Sequence, residues 1–589
     1  MFKLYVCFFT LLFMGEIYAN NLTLSLSENL PEYVEDNIKA YLGELPSDDL
    51  SRISYIYSAK NNAIKALKAL GYYQSIVETK LHKNEDTDEE GKVTPWKLDL
   101  TITLNNPTLI NSINIEITGE ANNDLMFNAL TSKPPIKKDD NLHHGHYQKI
   151  KSDILSLGLQ RGYFDGYFEV AKISITPENL ANISLIYVSG SRYKFGKVHY
   201  INNTVDHEFI NNLVPFTPGD NYQVSKLQQF QNKLEQTQYF SNILIVPNKD
   251  DDAAKIKKTV PIQVTLEQAK KHYFDIGLGY ATDTDFRVSA GWKTPLINKY
   301  GHRQETLIKY SKINPTGRFN YSIPVNGSLN DTIQLKLLLE NDEYGDISSN
   351  YWSSRLSKIK TNDTSNSEYY IRFLHEEWDI NAIDDTADYF LLGYSWSNTR
   401  RKGTLIDPSN GLSQFYNIEA THTDISSETS FVKLHAHWRY IKTLKPKHRL
   451  VTRAEIGYTL LDSSNIEELS PSLRFFAGGD QSIRGFAYQS IGPTRTQINV
   501  GESDTELVVG GSRLAVASIE YQYYFTPKIR GAIFADIGSS FDKGFQKSYS
   551  IGPGIHYISP IGAIKLDVGY SLSKDAPSWR LHLNLGAEL

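Results

Sequence analysis

Two regimes of hydrophobic patterning divide the chain. Up to about Gln268, apolar residues recur with helical spacing in some stretches and alternate in others. Beyond that point helical periodicity disappears. Alternating segments of about ten residues follow one another to the end, separated by Gly, Asn, Asp, Ser and Pro. In one segment Leu450, Thr452, Ala454, Ile456 and Tyr458 form one face, and Arg453, Glu455 and Gly457 the other. Near the end Leu581, Leu583 and Leu585 alternate with Arg580, His582 and Asn584. Period-2 spacing puts the two sets on opposite sides of a strand. Roughly 320 residues of such strands are too many for one soluble sandwich, and the polar face recurs where a lumen would lie. The pattern predicts a transmembrane β-barrel over residues 269–589.

The first regime repeats. A helix end running into aromatics appears as Leu67-Lys68-Ala69-Leu70-Gly71-Tyr72-Tyr73, then as Leu159-Gln160-Arg161-Gly162-Tyr163-Phe164. The third copy is Leu234-Glu235-Gln236-Thr237-Gln238-Tyr239-Phe240. Gly71 and Gly162 stand where a left-handed cap ends a helix, and Gln238 takes that place in the third copy. The aromatic pair is expected to start a strand and plug the core beneath the sheet. Each copy closes on an alternating strand: Leu98–Leu104, Ile183–Val188 and Ile262–Leu266. The order β-α-α-β-β predicts a small sheet with two helices on one face. The expected domains are 20–105, 106–190 and 191–268.

Strand parity orients the barrel. We count eleven strands between His272 and Leu460, then five starting near Ser512, Lys528, Ser548, Gly562 and Trp579. Sixteen is even, as for single-chain bacterial barrels, so both barrel ends lie on the side of the repeats. Asp407-Pro408-Ser409-Asn410-Gly411 and Ser559-Pro560-Ile561-Gly562 then read as tight turns on that side. The long segment from Leu469 to Gly511 falls at the opposite, extracellular end.

Composition narrows the setting. The chain has 589 residues, 40% of them hydrophobic, with 37 tyrosines, 3 methionines and a net charge of −6. Tyrosine suits membrane-interface girdles, and the negative balance gives no reason to expect nucleic acid. Residues 1–19 read as a secretory signal: Lys3, an apolar stretch from Leu4 to Met14, and the imperfect small-residue site Ile17-Tyr18-Ala19. The single cysteine, Cys7, lies inside it, so the processed chain would hold no disulfide, catalytic Cys or Cys-based zinc site. After Ala19 no stretch approaches a spanning helix, and a membrane form must be a closed barrel.

The long segment carries the candidate chemistry. A connection of roughly forty residues is far above usual lengths. It contains Gly478-Gly479-Asp480-Gln481-Ser482-Ile483-Arg484-Gly485-Phe486. Downstream, Ala515, Ala517, Ile519, Tyr521 and Tyr523 form an apolar face, which turns Glu520 to the lumen. In the next strand Ile533, Ala535 and Ile537 face lipid, leaving Phe534, Asp536 and Gly538 inside. A loop folding back into the barrel would bring the Arg484 fork to these carboxylates, and Gly485 would permit close backbone approach. Spacing equally accommodates a solvated Arg484 above acids that line water.

The Arg484-Gly485-Phe486 loop, the strand Phe534-Ala535-Asp536-Ile537-Gly538 and the segment Gly554–Gly562 resemble the superfamily of BamA-like outer-membrane assembly factors and two-partner secretion transporters. The resemblance implies POTRA domains for the three repeats. It also implies that the loop arginine docks on lumen acids, which map onto Asp536 and, through Ser518-Ile519-Glu520-Tyr521, onto Glu520. Three repeats before sixteen strands look most like the translocation-and-assembly-module branch. That branch implies autotransporter-type outer-membrane clients, a TamB-like inner-membrane-anchored partner, contact with outer-membrane lipid, and no cofactor. The chain departs from the pattern by ending on Leu589 rather than an aromatic.

Closing the barrel pairs the first strand, with Gly277 and Gly279, with the last, with Gly586 and Leu589. Interior glycines weaken a strand, so this seam could open and offer an edge to a client strand; glycines placed for curvature in a permanently closed seam fit as well. His143-His144-Gly145-His146 reads as an exposed polar entry to a helix rather than a metal site, and His375-Glu376-Glu377-Trp378 lacks the second His of a zinc protease. The run Glu85–Glu90 reads as a solvated tip. No catalytic constellation is visible. The expected function is a non-enzymatic outer-membrane assembly factor, with a secretion transporter passing an unfolded exoprotein as the alternative.

Overall fold

The computed structural model describes residues 22–83, 96–249, 252–281, 285–325, 328–380, 384–425, 427–461, 466–497, 505–560, 562–572 and 577–586. The signal-like segment, the acidic run 85–90 and Leu589 lie outside the described residues. The chain divides into two compact units: residues 1–199, 216–228 and 246–263, and residues 200–215, 229–245 and 264–589.

The repeats share one sheet order, and the third adds a short helix before its last strand. The first runs β1 (Leu22–Leu26), α1 (Glu32–Leu42), α2 (Asp49–Ala69), β2 (Ile76–His82), β3 (Trp96–Thr103). The second runs β4 (Leu109–Thr118), α3 (Leu125–Ser132), α4 (His144–Arg161), β5 (Tyr167–Ile175), β6 (Leu180–Val188). The third runs β7 (Lys194–Ile201), α5 (His207–Asn211), α6 (Val224–Thr237), β8 (Phe240–Pro247), α7 (Asp252–Lys257), β9 (Thr259–Gln268). The sheet orders are β1-β3-β2, β4-β6-β5 and β7-β9-β8, so the last strand of each repeat is always central. In the first two repeats it pairs parallel with the first strand and antiparallel with the second. That position explains its alternation, as in β6, where Ala181, Ile183, Leu185 and Tyr187 are buried.

The helix-end aromatics divide their work differently from expectation. Tyr72, Tyr163 and Tyr239 are buried in their own repeats. In the first two repeats the strand begins three residues after the second aromatic, which instead reaches the following repeat. The Tyr73 hydroxyl lies 2.5 Å from His144 Nε2, and the Phe164 ring packs 5.3 Å from Tyr193 and 5.0 Å from Tyr222. Gly71 (φ +90°) makes this approach possible, because an added Cβ would sit 2.3 Å from the Leu142 carbonyl oxygen. The histidines are therefore no mere polar entry. His143 Nδ1 accepts the Gly145 N–H at 3.0 Å and caps α4, while His144 is half-buried at the junction of the repeats.

Asp124 ties the second repeat together. Its side chain caps α3 by accepting the Met126 N–H at 3.0 Å, and it also accepts from Arg161 Nε at 2.5 Å and the Tyr163 hydroxyl at 3.2 Å. Burial opposes its ionisation, but Arg161, the Met126 N–H and Arg192 outweigh it and hold the carboxyl below its ordinary value. A group with a depressed folded pKa stabilises above its unfolded pKa and loses that contribution as pH falls. We expect the isolated second repeat to lose stability below about pH 4, and Asp124→Asn to flatten this acid limb in urea titrations at several pH values.

The barrel is one sixteen-stranded antiparallel sheet. Its first eleven strands are β10 (Tyr273–Ala281), β11 (Asp285–Thr294), β12 (Arg303–Ser311), β13 (Thr316–Val325), β14 (Ser328–Tyr344), β15 (Ile347–Thr361), β16 (Ser365–Asp379), β17 (Asp384–Gly403), β18 (Pro408–Thr421), β19 (Phe431–Lys445) and β20 (His448–Leu461). After the long loop, which holds a small hairpin β21 (Thr494–Gln497) and β22 (Thr505–Val508), come β23 (Arg513–Tyr524), β24 (Ile529–Phe541), β25 (Ser548–Ser559), β26 (Gly562–Ser571) and β27 (Trp579–Gly586). Outward residues such as Leu339 (63% exposed) and Ile533 (68%) would be costly in water and suit lipid. Asp407 alone of its predicted turn stays in the turn, because β18 already begins at Pro408. The third repeat meets the periplasmic β11–β12 turn, where the Tyr239 hydroxyl donates to the Gly301 carbonyl at 2.8 Å and the Asp206 N–H to that of Lys299 at 2.8 Å.

Candidate functional site

The long loop enters the lumen and ends in a buried guanidinium. Arg484 is 3% exposed. Its Nε and Nη2 donate to the two oxygens of Asp536, each at 2.9 Å, and its backbone N–H donates to the same carboxylate at 3.0 Å. Nη1 donates to Glu520 at 2.5 Å and to Asp567 at 3.1 Å. The Ser518 hydroxyl accepts from Nη2 at 3.3 Å. The guanidinium carbon also sits over the Phe534 ring, 3.4 Å from its centroid, which suits a cation over a π face.

Strand geometry positions these acids. Ser518 pairs with Asp536 and Glu520 with Phe534 across β23 and β24, so the bonding groups sit on the same inward face of adjacent strands. Asp567 comes from β26, two strands further round. Three carboxylates face Arg484, and Arg453 adds a second cation 3.7 Å from Asp536. Glu520, His556 and Asp567 are close enough together to hold a metal, but the Arg484 guanidinium already takes an oxygen from each of the two acids.

Gly485 makes the docking possible. Its φ is +90°, its N–H donates to His582 Nε2 at 2.9 Å, and its backbone presses on Gly569. A Cβ added to Gly569 would lie 2.4 Å from the Gly485 nitrogen, so both positions need glycine. Phe486 is half-buried and packs with Ile491 against a small core of Phe475, Ala477, Ile483, Leu514 and Val516.

A second anchor holds the start of the loop. Glu376 of β16, fully buried, accepts from the Ser349 hydroxyl at 2.7 Å, from the Ser472 N–H at 3.0 Å and from the Ser472 hydroxyl. Arg474 donates to the carbonyls of Leu469, Glu467 and Val509 at 2.6, 2.9 and 3.0 Å, folding the loop onto itself.

The loop also touches the last strand. His582 receives Gly485, and the Asn584 amide donates to Asp480. This matters at the seam. Gly277 and Gly279 pair with Ser289 and Arg287 in β11, and Gly586 pairs with Ala563 in β26. Between β10 and β27 no ladder forms among the described residues, although their Cα atoms approach within 8 Å.

The alternation in the sequence turns Glu520 and Asp536 inward and puts His582 on the polar face of the last strand, but it singles out neither Asp567 nor Glu376. Asp567 was within reach of the same parity rule. Ile564, Leu566 and Val568 face outward and leave Asp567 inside, and His582 alternates with Leu581 and Leu583. Glu376 was weighed only as part of a failed zinc motif.

A domain model described as the Omp85 superfamily domain matches residues 259–588, more than half of the chain. The chain belongs to the Omp85 superfamily. Residues 29–104 of this Omp85 chain match a model described as POTRA domain TamA domain 1, and residues 193–277 a POTRA model described as surface antigen variable number repeat. It is 23% identical over 489 residues to outer membrane protein assembly factor BamA of Nitratidesulfovibrio vulgaris, over 74% of this chain and 57% of that protein. It thus spans little more than half the length of that relative. Among solved structures, BamA from Haemophilus ducreyi lacking POTRA domains 1–3 aligns at a TM-score of 0.69 and 15% identity, covering 81% of this chain and 99% of that one. CdiB from Acinetobacter baumannii aligns at 0.44 and 14%, covering 82% and 90%. This Omp85 chain is an outer-membrane barrel with POTRA domains on the periplasmic side.

Proposed function

We propose that this chain is a TamA-type assembly factor, which inserts or translocates autotransporter-type β-barrel proteins together with a TamB-like, inner-membrane-anchored partner. Residues 20–105, 106–190 and 191–268 act as three periplasmic modules. Their sheet edges capture client or partner strands by β-augmentation. Residues 269–589 form the barrel, whose β10–β27 seam admits client strands toward outer-membrane lipid. Arg484, Gly485 and Phe486 with Glu520 and Asp536 are the loop lock, and Gly277, Gly279, Gly586 and Leu589 belong to the gate.

The observation that carries this reading is the combination of an occupied lumen with an unladdered edge pair. A guanidinium held by three carboxylates pins the long loop to the inner wall of the barrel, while β10 and β27 share no ladder among the described residues. A conduit for unfolded exoprotein needs the opposite arrangement. The first repeat's match to a TamA POTRA model supports the branch.

A photo-activated cross-linking residue placed on the exposed edge strand β2 of the full-length protein tests the partner. The expected adduct is with an inner-membrane-anchored TamB-like protein. Adducts with a secreted exoprotein alone, together with steady large conductance in planar bilayers, would favour the secretion transporter instead.

A further inference from the structure

At the periplasmic mouth a second carboxylate is pinned far from its own strands. Asp407 lies in the short turn between β17 and β18, which the Asp407 N–H to Thr404 hydroxyl bond closes at 3.0 Å. Its partners belong to β20, β23 and β24. Oδ1 accepts from Arg530 Nη1 at 2.9 Å and the Tyr524 hydroxyl at 2.7 Å, and Arg449 Nη1 stands 3.4 Å away. From β18 to β24 is four strand-to-strand steps, roughly 19 Å along the wall at about 4.8 Å per step, so the turn must fold inward to reach them. Arg449 and Arg530 are both fully buried.

From these arginines two hydrogen-bonded rails climb the lumen wall to Arg484. On one, Arg449 Nη1 donates to Gln522 Oε1 at 2.9 Å, and Gln522 Nε2 donates to Glu520 Oε1 at 2.5 Å. The other oxygen of Glu520 receives Arg484. On the second rail, Arg530 Nε donates to His556 Nδ1 at 3.3 Å, and His556 Nε2 lies 2.9 Å from Asp567 Oδ1. With Nδ1 accepting from Arg530, Nε2 is the nitrogen that faces Asp567, whose second oxygen receives Arg484. Gln522 and His556 are fully buried. A buried network of this kind has a costly half-broken state, so its two ends favour being made together.

We propose that Asp407 is a positioning residue of the loop lock: it holds the β17–β18 turn across the periplasmic mouth and, through the two rails, holds Glu520 and Asp567, two of the three acids that receive Arg484. An event at the periplasmic end, such as a client strand displacing the turn, would then loosen the extracellular loop. Coupling between the ends is reciprocal. This inference rests on the lock reading above.

The test is cleavage of the loop by protease added outside cells, with heat-modifiable migration confirming a folded barrel. Asp407→Asn should raise the cleavage rate about tenfold, a usual size for coupling between sites. Tyr524→Phe, which removes one bond to Asp407 without altering charge, should raise it less, and Asp407→Glu should restore protection in part. Asp424→Asn, on an exposed extracellular acid, should change nothing. In the double variant with Arg484→Ala the two effects should fall short of their product. Effects that multiply, or full protection in both Asp407→Asn and Tyr524→Phe, would overturn the relay. If Arg484→Ala itself leaves the loop protected, the lock reading fails with it; exposure in Arg484→Ala alone sinks only the relay.

Discussion

Replacing Arg484 with alanine is expected to release the long loop and to abolish most client assembly. The substitution leaves Glu520, Asp536 and Asp567 facing one another in a site where each is less than a tenth exposed. Removing one partner of a buried charge set costs about 3–5 kcal/mol, because the remaining charges lose their compensation. Here it also removes the cation resting on Phe534 and the fork that fits Asp536 in two places. A loss of about 3 kcal/mol corresponds to roughly a hundredfold rise in the undocked population. Cleavage of the loop by external protease should rise by about that factor where opening is fast relative to cutting. Arg484→Lys should fall between, since an ammonium keeps the charge and loses the bidentate geometry. An unchanged cleavage rate in the alanine variant would show that the loop is held by its other contacts, Glu376 and Arg474 foremost.

A disulfide placed between β10 and β27 is expected to block assembly of clients entirely under oxidising conditions and to restore it on reduction. The seam differs from the other strand junctions, because β26 and β27 share a ladder from Ala563–Gly586 to Tyr570–Trp579 while none joins β27 to β10 among the described residues. Strand edges that share no ladder invite another strand. The background is simple: the sequence holds one cysteine, Cys7, near its start. A cross-link between β26 and β27 is the matched control, since those strands are already paired and should stay so during function. Full activity with the β10–β27 bond formed would remove seam opening from the mechanism. The Gly485 and Asp480 contacts to β27 make a further point. Release of the loop frees the last strand from two of its lumen contacts, so loop and seam are expected to open in concert.

How much of this was legible beforehand differs from residue to residue. The sixteen strands and the β-α-α-β-β order of the repeats, save for the short α7 inserted in the third, followed from local patterning, and so did the inward direction of Glu520 and Asp536. The aromatic pairs were recognised, but in the first two repeats the second members, Tyr73 and Phe164, join the neighbouring repeat, because nothing local distinguishes a core ring from an interface ring. The open alternative of a solvated Arg484 was closed only by the loop's path into the lumen.

The sequence by itself determined which side of each strand faces lipid. That information repeats every two residues and needs no distant partner. Which inward groups meet was decided by tertiary structure alone. Asp567 reaches Arg484 from two strands beyond Asp536, and Asp407 reaches Arg530 across four strand steps. Both meetings depend on register, on curvature and on the course of a turn or loop through the lumen. These are properties of the closed sheet as a whole, to which no short stretch of chain is sensitive.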